Sequence, residues 1–211
     1  MKQAIAMAAA AALLAASGVY ANEAAAPAAA KADPAKAQQI VSTICVGCHG
    51  VDGNSPLPVN PRLSGQHAAY ITKQLQNFKA GERKNPIMMG MAAGLSPEDM
   101  KNLGAYFSGQ KPAPVVAKDK ELVAKGEKIY RGGIMATGIP ACAGCHGQAA
   151  AGIPAQYPRL ASQHGEYIET QLKTFRTAER ANDPNKMMQG VAARMSDADI
   201  KAVSEYISSL N

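Results

Sequence analysis

The chain carries one chemical arrangement twice: Cys45-Val46-Gly47-Cys48-His49 and Cys142-Ala143-Gly144-Cys145-His146, each two thiols three positions apart with an imidazole directly after the second. Paired Cys-x-x-Cys can hold zinc, but a zinc ribbon sets its two pairs roughly 15 to 20 residues apart. Cys48 and Cys142 stand far beyond that spacing. A thioredoxin-like dithiol needs a βαβ frame with the cysteines at a helix start, and no strand alternation surrounds either pair. A disulfide within each pair leaves the adjoining histidine unused. Cys-x-x-Cys-His is the spacing of c-type haem attachment, in which both thiols add to porphyrin vinyl groups and the next imidazole ligates the iron. The expectation is two covalently bound haem c groups, tethered by Cys45 and Cys48 and by Cys142 and Cys145, with His49 and His146 as proximal ligands.

The N-terminus places this chemistry outside the cytoplasm. Lys2 precedes an apolar run over residues 4–16, and Val19-Tyr20-Ala21 offers small residues where a signal peptidase reads, so cleavage after Ala21 is expected. The run is shorter than the roughly 20 apolar residues of a spanning helix. Residues 22–35 are an Ala/Pro-rich tether, and the expected location is the periplasm. The net charge of +6 is modest, with no arginine-rich arm or aromatic-interleaved basic patch, which argues against nucleic acid.

Two thiol–imidazole sites need two scaffolds, and an internal repeat supplies them. "NPRLSGQHAAYITKQLQNFKAGER" (60–83) returns as "YPRLASQHGEYIETQLKTFRTAER" (157–180), at the same offset that separates Cys45 from Cys142. After a three-residue insertion, "MMGMAAGLSPEDMKNLGAYFSG" (88–109) answers "MQGVAARMSDADIKAVSEYISS" (188–209). The Pro-rich residues 110–117 read as a linker between units 36–109 and 118–211. Each unit reads as all-α. Helices are expected over 36–44 and 120–131 leading to the cysteines, over 68–80 and 165–178 from apolar residues at helical spacing, and from Ser96 and Ser196 by their capping signals. There is no Trp and aromatics are 5%, a poor stock for two protein-only cores of this size. A flat apolar macrocycle would complete each core.

Pro61 and Pro158, both in Pro-Arg-Leu, stand at equal distances beyond the two histidines. Here the sequence resembles class I cytochromes c, in which a proline carbonyl at about this distance accepts a hydrogen bond from the ligand imidazole. The resemblance implies that role for Pro61 and Pro158. Arg62 and Arg159 follow directly and are candidates to pair with haem propionates, with an ordinary surface role as the alternative. For the sixth iron position, residues 87–91 offer three methionines and 187–191 two. Aligning Gly90 with Gly190 pairs Met88 with Met188, while Met89 meets Gln189, Met91 meets Val191 and Ile87 meets Met187. If the two sites are built alike, Met88 and Met188 are the axial ligands, and the other methionines pack the pocket. His67 and His164 also recur, at a helix start typical of capping or surface, and leave bis-histidine ligation as an alternative.

The tandem units, the shared "PRL…QH…Y…QL…F…ER" stretch and the methionine segment before a Ser-capped helix together resemble the dihaem cytochrome c4 family. The resemblance implies two tandem class I cytochrome c domains related by a pseudo-twofold, each built around a covalent haem, with propionates facing each other near the interface. It also implies a periplasmic shuttle passing single electrons from a quinol-oxidising complex to a terminal haem-copper oxidase by transient docking. No enzymatic activity and no small-molecule substrate are expected; peripheral membrane association is compatible with the sequence. Lys79, Arg83 and Lys84, echoed by Arg176 and Arg180, are candidate docking cations. Rival readings are an electron-transfer subunit of a periplasmic dehydrogenase, such as a flavoprotein, and a dihaem peroxidase or thiosulfate-oxidising enzyme. The stretch "RGGIMATGIPA" (131–141) lengthens the approach to the second Cys-x-x-Cys-His, so the two pockets need not be equivalent.

Overall fold

The computed structural model describes residues 32–116, 119–154 and 156–211. The expected leader (1–21) and most of the tether lie outside these residues. The first half contains α1 (Pro34–Ile40), α2 (Val46–His49), α3 (Ala68–Lys79), α4 (Pro86–Ala93) and α5 (Pro97–Ser108). The second contains α6 (Lys120–Gly132), α7 (Ala143–His146), α8 (Gly165–Arg176), α9 (Met187–Ala192) and α10 (Asp197–Ser209). Extended pairing among the described residues is confined to two isolated bridges, Ile134 with Ile139 and Ile153 with Tyr157. The all-α expectation therefore holds.

Local chemistry explains most boundaries. The Asp33 side chain accepts from Ala35 N and Pro34 fills the first turn, so α1 begins two residues before the sequence suggests. Ser96 and Ser196 each form a full capping box with the aspartate three residues on. The helix across the methionine segment was not expected. Its signal is Asn85-Pro86: the Asn85 side chain accepts from Met88 N, and the proline supplies the first turn of α4. In the second half the insertion becomes a 3-10 turn, Pro184–Lys186, with Asn185 and Lys186 at positive φ, and Asp183 takes over as acceptor for Gln189 N.

Each half has its own core. One gathers Ala37, Val41, Ile71, Leu95, Met100, Leu103 and Phe107. The other is built around Ile129, Tyr130, Ile168, Ile200, Val203 and Ile207. Helix α5 packs on α1 and α3, as α10 packs on α6 and α8. The close approach of α6 to α10 depends on Gly126, where an added Cβ would overlap the Ala202 carbonyl oxygen. Backbone cannot yield as a side chain does, so Gly126→Ala should destabilise the second half by about 3 kcal/mol. Guanidinium unfolding followed by far-ultraviolet circular dichroism checks this; a change below about 0.5 kcal/mol would mean that the crossing relaxes freely.

Residues 110–116 are fastened rather than loose. Asn54 donates to Lys111 O and accepts from Ala113 N, the Arg62 guanidinium donates to Ala113 O, and Val115 N donates to the Asn211 side chain.

Candidate haem sites

In the first half α1 does not stop before the cysteines. It widens into a π-helical turn, Val41–Cys45, and resumes as α2, so one rod delivers Cys45, Cys48 and His49. Inserted π-turns commonly mark functional positions because they re-aim side chains. In the second half Gly133, at φ 69°, ends α6, and the chain passes through a 3-10 turn, Met135–Thr137, and the Ile134–Ile139 bridge before α7 presents Cys142, Cys145 and His146. The longer approach expected from residues 131–141 is thus real. Below the motifs, the Ser55 hydroxyl donates to Cys48 O and the Tyr130 hydroxyl donates to Gly147 O, pinning each turn.

His49 and His146 are buried, with Nδ1 at 2.9 Å from Pro61 O and 3.0 Å from Pro158 O. A carbonyl only accepts, so Nδ1 carries the proton and Nε2 keeps its lone pair. Burial holds both imidazoles below the ordinary histidine range, with the proline carbonyls opposing it. Each is thereby neutral and oriented, the state in which imidazole binds a metal.

Four further observations fit a covalent haem. All four cysteines are free thiols, which removes the intra-motif disulfide. Burial pushes the Cys45 and Cys142 thiols up to about 11, the reverse of a thioredoxin-type dithiol. Val51, Leu57, Val59, Ile87, Met89 and Met91 are exposed on the loop after His49 and on α4, a density of apolar surface that a flat macrocycle would cover. Finally, Arg62 Nε and Arg159 Nε are buried donors without a protein partner, the kind a propionate carboxylate satisfies.

Among the methionines, Met88 and Met188 are half-buried, whereas Met89, Met91 and Met187 are exposed. Met188 packs against the core of its half. Gln189, the counterpart of Met89, is tied by its amide to Asp183.

Two expectations need correction. His67 and His164 stand at helix starts, but neither side chain caps a helix. His164 Nε2 instead lies 2.9 Å from Ser55 O of the other half. Arg83 and Arg180 are not docking cations on a solvated face, for each is only 8% exposed. Arg83 donates to Gln74 Oε1, the Tyr167 hydroxyl and Gln171 Oε1, and Arg180 donates to Gln171 Oε1, the Tyr70 hydroxyl and Gln74 Oε1. They stack on Phe78 and Phe175 in the same manner. Lys79 and Arg176 are also engaged, donating to Leu95 O and Met195 O at equivalent places. Lys84 remains exposed. This twofold-related network, extended by Asn182 to Asn77, is the seam between the halves. The sequence held its signal in polar residues repeated four apart on α3 and α8, Tyr70 with Gln74 and Tyr167 with Gln171.

The family model described as cytochrome c matches residues 34–111 and again 123–211. Cytochrome c4 of Thiocapsa roseopersicina is 47% identical over 181 residues, covering 85% of this chain and 93% of that protein. A Stutzerimonas stutzeri (strain A1501) protein described as a thiosulfate dehydrogenase electron acceptor is 38% identical over 170 residues, covering 79% of this chain and 78% of its own length. The crystal structure of reduced recombinant cytochrome c4 from Pseudomonas stutzeri matches with a TM-score of 0.81 at 42% identity, covering 85% of this chain and 100% of that one.

Proposed function

Because the chain belongs to the cytochrome c family, as a dihaem member like cytochrome c4, we propose that it is a periplasmic shuttle taking single electrons from a quinol-oxidising complex and delivering them to a terminal oxidase. Electron transfer by two covalent haem c groups is the established part of this reading. When bound, each haem supplies an iron that alternates between Fe(III) and Fe(II). The chain's residues do the rest. In this reading Cys45 with Cys48, and Cys142 with Cys145, would tether the macrocycles; His49 and His146, aimed by Pro61 and Pro158, would ligate iron; Met88 and Met188 would supply the further ligand; Arg62 and Arg159 would pair with propionates. A soft thioether favours Fe(II), which suits late acceptance of electrons.

The observation carrying the proposal is the equivalence of the halves. Each presents one neutral, carbonyl-clamped imidazole and one half-buried methionine at matching positions, which supports reading the two halves as alike. Among the described residues no helix is long and apolar enough to cross a membrane. The domains are taken as 36–109 and 118–211, joined through 110–117.

A second reading has specific support. The thiosulfate dehydrogenase electron acceptor relative fits a role as acceptor for a periplasmic dehydrogenase. Stopped-flow mixing separates the two. Under the first reading, membranes supplied with quinol reduce both haems rapidly and a haem-copper oxidase reoxidises them. Slow reduction by quinol-fed membranes with fast reduction by thiosulfate dehydrogenase and thiosulfate would transfer the assignment to the second.

A further inference from the structure

The seam does more than hold the halves together, because it meets the peptide groups that orient the ligand histidines. Pro158 C=O, which accepts from His146 Nδ1, belongs to the same peptide as Arg159 N–H, and that N–H donates to Gln66 Oε1 at 2.9 Å from the other half. Gln66 Nε2 returns a bond to Arg159 O at 2.8 Å. The mirror set is complete: His49 Nδ1 to Pro61 O, Arg62 N to Gln163 Oε1 at 2.9 Å, and Gln163 Nε2 to Arg62 O at 3.0 Å. Both glutamines are buried, 7% and 8% exposed. Each oxygen also accepts from the N–H of the next residue, His67 or His164. Flipping either amide would set NH2 against N–H and carbonyl against carbonyl, so the partners fix its orientation.

The geometry points to Gln66 and Gln163 as crossed positioning residues, each tuning the ligand histidine of the opposite half through a single shared peptide. A peptide is a conjugated unit. An acceptor on its N–H draws electron density toward its oxygen, so the two hydrogen bonds it makes reinforce one another. A stronger Pro158 acceptor makes His146 a more basic ligand, which favours Fe(III) and lowers that potential. The inference rests on the assignment of His49 and His146 as ligands. It goes beyond that assignment in giving the tuning residue to the other domain.

Gln66→Met keeps length and flexibility but leaves Arg159 N–H without its acceptor. The holoprotein is titrated electrochemically while haem-methyl NMR resonances report each haem separately. The expected result is an upward shift of the second-half potential, an upfield move of the His146 Nδ1–H resonance in the reduced protein, and little change at the first haem; Gln163→Met does the converse. Gln66→Glu, which retains an acceptor oxygen whether or not it is protonated, should bring the second potential back to or below its original value. If Gln66→Met does not fold, Gln163→Met serves as the test, read as an upward shift of the first-half potential with little change at the second. A shift confined to the half that carries the substitution, an equal shift at both haems, or no shift in the methionine variants would overturn the inference. Failure of the ligand assignment shows separately, as absence of histidine–methionine signals in unsubstituted protein.

Discussion

Replacing both Cys142 and Cys145 by alanine should give a protein that carries one haem by mass instead of two and whose residues 119–211 no longer hold a native fold. The second haem attachment sits on a four-residue helix, α7, which cannot persist alone. What holds α7 is the Tyr130 hydroxyl on Gly147 O, the His146 bond to Pro158 O, and the covalent haem. A unit on the order of 90 residues buries too little of its own surface to spare such a partner. The thioethers also act through the unfolded chain, which they keep close to its missing core material. Loss should extend to the seam, since Arg83 would forfeit the Tyr167 and Gln171 acceptors that bury its charge. The first half should survive with lower stability on its own core of Val41, Leu103 and Phe107. Intact mass spectrometry with hydrogen exchange checks both statements. Protein with two haem masses, or with protection unchanged across residues 119–211, would refute them.

How much of this could be read beforehand follows from the range of each interaction. The haem tethers rest on spacings of a few residues, the proline clamps on a family resemblance carried twelve residues beyond each histidine, and the preference for Met88 and Met188 on comparison of one half with the other. The first-half π-turn was not legible, because Val41–Cys45 has no composition that separates it from an α-helix. The seam was misread for a related reason. Arg83 and Arg180 look like surface charge because a buried guanidinium without a carboxylate is expensive. Here desolvation is offset by neutral oxygens from both halves and by stacking on Phe78 and Phe175, partners that only the folded pair brings together. Gln66 and Gln163 are no more legible, because their function becomes visible only when the opposite Pro-Arg-Leu segment lies against each of them.

The methionine assignment has the sharpest experimental consequence. Met88 and Met188 are half-buried at matching positions on α4 and α9, held by Asn85 in one half and backed by the core in the other. Met89, Met91 and Met187 have no methionine at the matching position of the other half, and Gln189 shows that the Met89 position need not carry sulfur at all. If both thioethers occupy the sixth position, reduced wild-type protein should scarcely bind carbon monoxide, because neither iron has a free site. Met88→Ala removes the sulfur and with it the preference for Fe(II), so one potential should fall, about half of the weak near-infrared sulfur-to-iron band should vanish, and carbon monoxide should bind at one haem. Met188→Ala should do the same at the other. Met89→Ala and Met187→Ala should leave both signals at their wild-type values, since packing methionines are replaceable without a change of ligand. Loss of the band in Met89→Ala or Met187→Ala would move the ligand assignment to that neighbour while leaving the carrier reading intact. Carbon monoxide binding to one haem of unsubstituted protein, with turnover of peroxide, would instead make that half a catalytic site and end the shuttle proposal.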